Sequence, residues 1–282
     1  VKEENIKKIY MNYSQYIDIF QGKNLKKYKN ITKNKKTIVF DLDETIGSFH
    51  EVYNLFTLLK KIEKDEEVNI IDKEKELLFE LLTMNPEFFR YGMDIIFKYL
   101  HEKMKNNNNF LVYIYTNNTC LPIKWTSWII QHIEEKWQTK KLFHNIVRAF
   151  KIRGRIIEGN RTSLDKKYDD FVKCVQISEN SQLCFIDNIE HEKMKHDNVY
   201  YIRLKPYYHY LNKKLILERF INSLYGKLFT NKIVNAEKKI KGLYLSENDK
   251  IYSRSEEDFE NDVRVSKQLL EHIQYFFYMK NE

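Results

Sequence analysis

Four short runs constrain this chain's fold more than any other feature of it. Thr37-Ile38-Val39-Phe40, Phe110-Leu111-Val112-Tyr113-Ile114-Tyr115, Leu183-Cys184-Phe185-Ile186 and Val199 to Leu204 are rich in β-branched and aromatic residues, with no polar alternation. Strands buried on both faces of a parallel sheet read this way. Between them lie stretches with apolar residues at helical spacing, such as Leu55, Leu58 and Leu59, then Met93, Ile96, Phe97 and Leu100. Strands alternating with helices predict an α/β fold, a Rossmann-like parallel sheet with helices on both faces. Sheets of that kind place their sites at the carboxyl ends of the strands. Here three of those ends run into Asp41 and Asp43, into Thr116, and into Asp187.

The rest of the chain organises around that core. Residues 1–36 read as a basic arm or a helix, because Tyr13, Tyr16, Ile17 and Phe20 are helically spaced among lysines. Residues 37–210 form the α/β core, with a helical insert over about 51–85 that is either a cap over the site or an outside decoration. Pro122 is expected to open a helix reaching about Trp137. Two apolar runs within 142–158, split by Gly154, suggest a hairpin. Tyr168 to Cys174 reads as helix, and Pro206 closes the last strand. Residues 211–282 form a helical extension, with helices predicted over 211–229 and 263–280.

Composition narrows the class. With 43% hydrophobic and 31% charged residues, the chain has the balance of a globular protein. Three cysteines, none in a CxxC pair, exclude a disulfide framework and a zinc ribbon. A reducing intracellular compartment, cytoplasmic or nuclear, is the expectation. No apolar run approaches the roughly 18 residues of a membrane span, and the first residues lack the apolar segment of a signal peptide, so no membrane partner is expected. The net charge of +8 is uneven: residues 1–36 hold ten lysines against three acidic residues, and 205–250 hold ten basic against four acidic. These flanks are either solvated lysine-rich surface or a means of attracting nucleic acid or another anionic partner.

The strand ends carry recognisable chemistry. Side chains two apart on a strand share a side, so Asp41 and Asp43 point the same way as the strand runs out. One carboxylate can attack an electrophilic centre while the other protonates a leaving oxygen and later activates water. Paired carboxylates also call for a cation, and their oxygens suit Mg²⁺, with Asp187 as a further ligand. A transferring phosphoryl group needs donors for its equatorial oxygens. The Thr116 hydroxyl, the Asn117 backbone N–H and one lysine meet that need.

Val39-Phe40-Asp41-Leu42-Asp43-Glu44-Thr45 resembles the first motif of the haloacid dehalogenase superfamily of phosphohydrolases. Tyr113-Ile114-Tyr115-Thr116 is similar to its second motif, and Phe185-Ile186-Asp187-Asn188 to its fourth. The Asp-Leu-Asp-Glu-Thr wording most resembles the branch holding the small phosphatases of the RNA polymerase II C-terminal tail. The likeness covers roughly 37–205. It implies a Mg²⁺-dependent phosphatase acting on a phosphorylated protein or peptide through an aspartyl-phosphate. Asp41 would be the nucleophile and Asp43 the general acid and base. Thr116, Asn117 and a lysine would hold phosphate. Asp41, the backbone of Asp43, Asp187 and Asn188 would hold the metal, with Thr45 bracing the loop. Lys167 is the lysine the likeness favours, with Lys166 and Lys173 as rivals. Two other readings stand beside this one: a phosphatase of nucleic-acid ends, and a binding protein built on a retired phosphatase fold.

Among the remaining residues, Trp125 and Trp128 are expected to pack in the core. His191 and His196 are read as surface residues and not as zinc ligands, and Cys120 and Cys184 as small buried hydrophobes.

Overall fold

A computed structural model of the chain describes residues 16–26, 36–106, 110–245 and 255–279. Its centre is a six-stranded sheet in the order β1-β8-β7-β2-β3-β4. The strands are β1 (Ile17–Gln21), β2 (Lys36–Phe40), β3 (Phe110–Tyr115), β4 (Asn145–Val147), β7 (Leu183–Asp187) and β8 (Val199–Leu204). All neighbouring pairs are parallel except β1 with β8. From β2 the chain builds β3 and β4 on one side, then returns to lay β7 and β8 on the other. β2 therefore stands at the topological switch point, where doubly wound sheets open a crevice at their carboxyl edge.

The two faces of the sheet are covered unequally. Alternate residues divide between them: Ile38, Phe40, Val112, Ile114, Cys184 and Ile186 enter a large core, while Val39, Tyr113, Tyr115, Leu183 and Phe185 enter a small one. The large core also takes the buried faces of α1 (His50–Asp65), α2 (Glu74–Met84), α3 (Met93–Asn106) and α4 (Trp125–Lys136). The small core is sealed by α5 (Tyr168–Val175). Residues 51–85, read as a cap or a decoration, pack on the sheet itself. Val52, Leu55, Leu59, Leu77 and Leu81 are fully buried in the same cluster as the sheet. Trp125 is buried there too, with Trp128 packed against it, as expected.

Among the described residues the extension forms four helices: α6 (Lys213–Ile221), α7 (Leu224–Lys232), α8 (Ala236–Tyr244) and α9 (Glu256–Tyr278). A single helix over 211–229 does not form, because the chain breaks at Ser223, whose hydroxyl accepts from the Gly226 N–H and caps a new helix. Gly226 permits the turn: a Cβ there would stand 1.9 Å from the Phe220 carbonyl oxygen. α9 begins seven residues earlier than its apolar spacing indicates, at a capping box formed by Ser255 and Asp258. It ends against the base of the sheet, where Lys36 Nζ donates to the Phe276, Phe277 and Met279 carbonyls.

Three other expectations are corrected. The helically spaced Tyr16, Ile17 and Phe20 lie at or within an edge strand, β1, paired from Ile17↔Leu204 to Gln21↔Tyr200; Tyr10 and Tyr13 lie outside the described residues. The hairpin of 142–158 is smaller than foreseen. Ile146 and Val147 join the main sheet as β4, and only β5 (Lys151–Ile152) and β6 (Arg155–Ile156) pair across a turn. Arg153 and Gly154 at that turn both have positive φ, the conformation two-residue hairpins favour. The helix after Pro122 starts at Trp125. Among the described residues, no helix is long and apolar enough to cross a membrane.

Candidate active site

The carboxyl ends of β7, β2 and β3, three strands adjacent in the sheet, carry Asp187, Asp41 with Asp43, and Thr116 to one edge. Asp41 follows β2 directly, and its backbone N–H donates to the Ile186 carbonyl of β7 at 2.8 Å. Asp187 closes β7. Between the two carboxylates lies the ammonium of Lys166, 2.5 Å from Asp41 Oδ1 and 2.7 Å from Asp187 Oδ2. All three side chains are buried.

Lys167, the expected phosphate lysine, is turned away. Its Nζ donates to the Thr162 hydroxyl at 2.7 Å, and its backbone N–H reaches the Tyr115 hydroxyl. The segment is extended at Lys167, with φ −133° and ψ 146°, so neighbouring side chains face opposite ways. One of the pair must enter the site and the other must leave it. Lys173 is exposed on α5.

The loop after β3 supplies the opposite wall. Thr116 is buried, and its hydroxyl accepts the Asn118 N–H at 3.0 Å. Asn118, which sequence reasoning passed over, donates from Nδ2 to Asp43 Oδ2 at 2.9 Å and accepts the Cys120 N–H on its Oδ1. Both ends of that amide are engaged, so its donor faces the acid. The only signal for it in the sequence is its place two residues beyond Thr116. The Asn117 side chain points elsewhere, donating to the Leu164 carbonyl at 2.9 Å.

The turn carrying Asp43 is held from beneath. Arg90, a buried residue with no signal in the sequence, donates to the carbonyls of Thr45, Glu44 and Lys205. The Thr45 hydroxyl donates to Asn188 Oδ1 at 3.0 Å, joining the loops after β2 and β7. The Asn188 oxygen expected near a metal is thus engaged by Thr45. His191, read as a surface residue, is largely buried instead, with Nε2 3.5 Å from Asp187 Oδ2. His196 is half-buried and stacks on Tyr168 at 3.9 Å.

Electrostatics follow from three carboxylates sharing one lysine. Burial pushes the Asp41 carboxyl up; Lys166 pulls it down, while Asp187 and Asp43 add to the rise. Burial also raises Asp43, against the Asn118 hydrogen bond. Asp187 is held below the usual carboxylate range because Lys166, then His191, outweigh its burial. Lys166 is raised, its two carboxylates outweighing its own burial. Burial, then Asp43, pushes the Cys120 thiol up to about 12, an inert group at neutral pH.

Among the described residues, no group of three or more His, Cys, Asp and Glu side chains converges as metal ligands. Asp41 and Asp187 are two carboxylates, the number Mg²⁺ takes alongside several waters, and the Lys166 ammonium lies between them. The clustered carboxylates outnumber the single lysine. This donor chemistry fits a hard divalent cation. No protein-family model matches the chain, and no curated protein matches it in sequence.

Proposed function

We propose that this protein is a Mg²⁺-dependent phosphohydrolase that forms an aspartyl-phosphate on Asp41. One observation carries the reading: Lys166 bridges Asp41 and Asp187 at adjacent parallel strand ends, with Asp43 two residues beyond the first. A buried lysine between two carboxylates supplies the positive charge that an incoming phosphate dianion needs beside an anionic nucleophile.

In the first half-reaction an Asp41 oxygen attacks phosphorus, and the bond from phosphorus to the substrate's ester oxygen breaks. Asp43 in its acid form donates its proton to that leaving oxygen. In the second half-reaction Asp43, now a carboxylate, takes a proton from water. The resulting hydroxide oxygen attacks phosphorus, and the bond to Asp41 breaks. Thr116, the Asn117 N–H and Lys166 hold the equatorial oxygens through both halves. Asp41, Asp187 and the Asp43 carbonyl would hold Mg²⁺, which supplies charge neutralisation for nucleophile and phosphate. A phosphoprotein substrate is favoured by the likeness of residues 41–45 to the polymerase-tail phosphatases.

Hydrolysis of an aryl phosphate by the purified chain with Mg²⁺ tests the reading. Turnover should vanish with EDTA, and in Asp41→Asn, whose amide is a poor nucleophile of nearly the same size. Brief incubation of wild type with labelled substrate should leave an acid-stable phosphoenzyme absent from that variant. A well-folded wild type that neither turns over nor becomes labelled would instead favour a binding protein on this fold.

A further inference from the structure

Arg161 is 2% exposed, yet every hydrogen bond it makes among the described residues ends on a neutral oxygen. Its Nη1 donates to the Thr116 carbonyl at 3.2 Å and the Arg148 carbonyl at 2.7 Å. Its Nη2 donates to Asn117 Oδ1 at 2.7 Å and the Leu164 carbonyl at 3.0 Å. Its Nε is buried and has no hydrogen-bond partner. The guanidinium lies over the Tyr115 ring, 4.8 Å from the centroid. The nearby buried carboxylate of Asp170 is engaged by the Thr162 N–H and hydroxyl. Burying a cation without an anion is costly, so such an arrangement is expected where an anion completes it.

The geometry points to Arg161 as the positioning residue of the phosphate site, a role that rests on the phosphohydrolase reading above. The carbonyl of Thr116 and the N–H of Asn117 belong to one trans peptide unit and point to opposite sides of it. By holding that carbonyl, Arg161 aims the N–H away from itself. By holding Asn117 Oδ1 as well, it fixes the residue's side chain, and the same Nη2 reaches the Leu164 carbonyl two residues before Lys166. One guanidinium therefore sets both donors, the Asn117 amide and the lysine, at a fixed separation before any ligand arrives. A cation on the carbonyl oxygen also polarises the peptide and strengthens its N–H as a donor.

The test compares wild type, Arg161→Gln and Arg161→Lys, each confirmed folded by its thermal transition. Inorganic phosphate with Mg²⁺ is titrated as a product inhibitor of aryl phosphate hydrolysis, and directly by calorimetry. Arg161→Gln should bind phosphate at least tenfold more weakly and show a raised KM along with a lowered kcat. Arg161→Lys keeps the charge but cannot span four acceptors, and should recover only part of the affinity. If Arg161→Gln does not fold, Arg161→Lys alone decides, with a threefold or greater loss of phosphate affinity expected. Wild-type phosphate affinity in a folded variant with a lowered melting temperature makes Arg161 merely structural and overturns the proposal. Failure of the wild type itself to bind phosphate or turn over substrate removes the phosphohydrolase reading, and the proposal with it.

Discussion

The ammonium of Lys166 stands 2.5 Å from Asp41 Oδ1, although 125 residues separate the two in the chain. The ammonium of its neighbour Lys167 donates to the Thr162 hydroxyl instead. Lys166→Met should therefore lower aryl phosphate turnover by about a hundredfold or more, since loss of one preorganised donor costs that order in comparable sites. Lys167→Met should stay within about threefold of wild type. Steady-state kinetics on both variants decide the matter; the reverse ranking would return the role to Lys167.

Asn118 offers a second probe of the same wall. Asn118→Ala removes the donor to Asp43 and leaves the part-buried main-chain N–H of Cys120 without its acceptor. The acid then loses its orientation, and kcat should fall about tenfold while Mg²⁺ affinity, measured by titration, stays near wild type. A large loss of metal affinity with unchanged kcat would contradict this.

Two buried histidines and one half-buried one make the fold sensitive to acid. Burial holds His132, His209 and His272 down to about 4, against an ordinary value of 6.5. His132 stacks on Phe89, His209 meets Phe88 edge-on, and His272 bonds the Tyr200 hydroxyl. Because the unfolded chain protonates first as pH falls, their contribution is complete above about 6.5 and is lost progressively toward 4. Urea midpoints should decline steadily between pH 7 and 4.5. His132→Phe should flatten part of that decline. A midpoint that does not move over this range counts against the assignment.

Removal of residues 1–26 tests the edge strand. β1 covers the outer edge of β8, and Arg203 of β8 is bonded to Asp18. Deletion leaves an open strand edge and strips Ile17 and Leu25 from the core. The truncated chain should melt several degrees lower and associate at concentrations where the full chain does not, as light scattering would reveal. Unchanged melting and association behaviour would mean that the pairing contributes nothing.

The parts of this architecture legible in the sequence were those where physics leaves few choices. Val39, Val112 and Phe185 are apolar, and so are their neighbours, because both sheet faces are covered; no amphipathic helix produces that pattern. The acids at strand ends were legible because a carboxylate directly after such a run has little use in a core. β1 was not legible. Ile-Asp-Ile-Phe-Gln is a half-exposed antiparallel edge, and its strand character comes from pairing with the distant residues Tyr200 to Leu204. Lys166 and Lys167 differ only in the side of an extended segment they face, and composition and spacing do not carry that phase. Arg90 and Arg161 bind main-chain carbonyls, acceptors present at every position, so neither has a partner type that sequence can flag.

The distance along the chain between β1 and β8 also matters while the protein is being made. Asp18 leaves the ribosome 185 residues before Arg203, so β1 has nothing to pair with through most of synthesis. Long-range pairing of this kind forms late. During that interval β1 is open to chaperones, and in a crowded polysome to the β8 edge of a neighbouring nascent chain. Exchange of β1 between two such chains would preserve the pairing of the sheet while joining two molecules, so this strand is the element that a swap would trade.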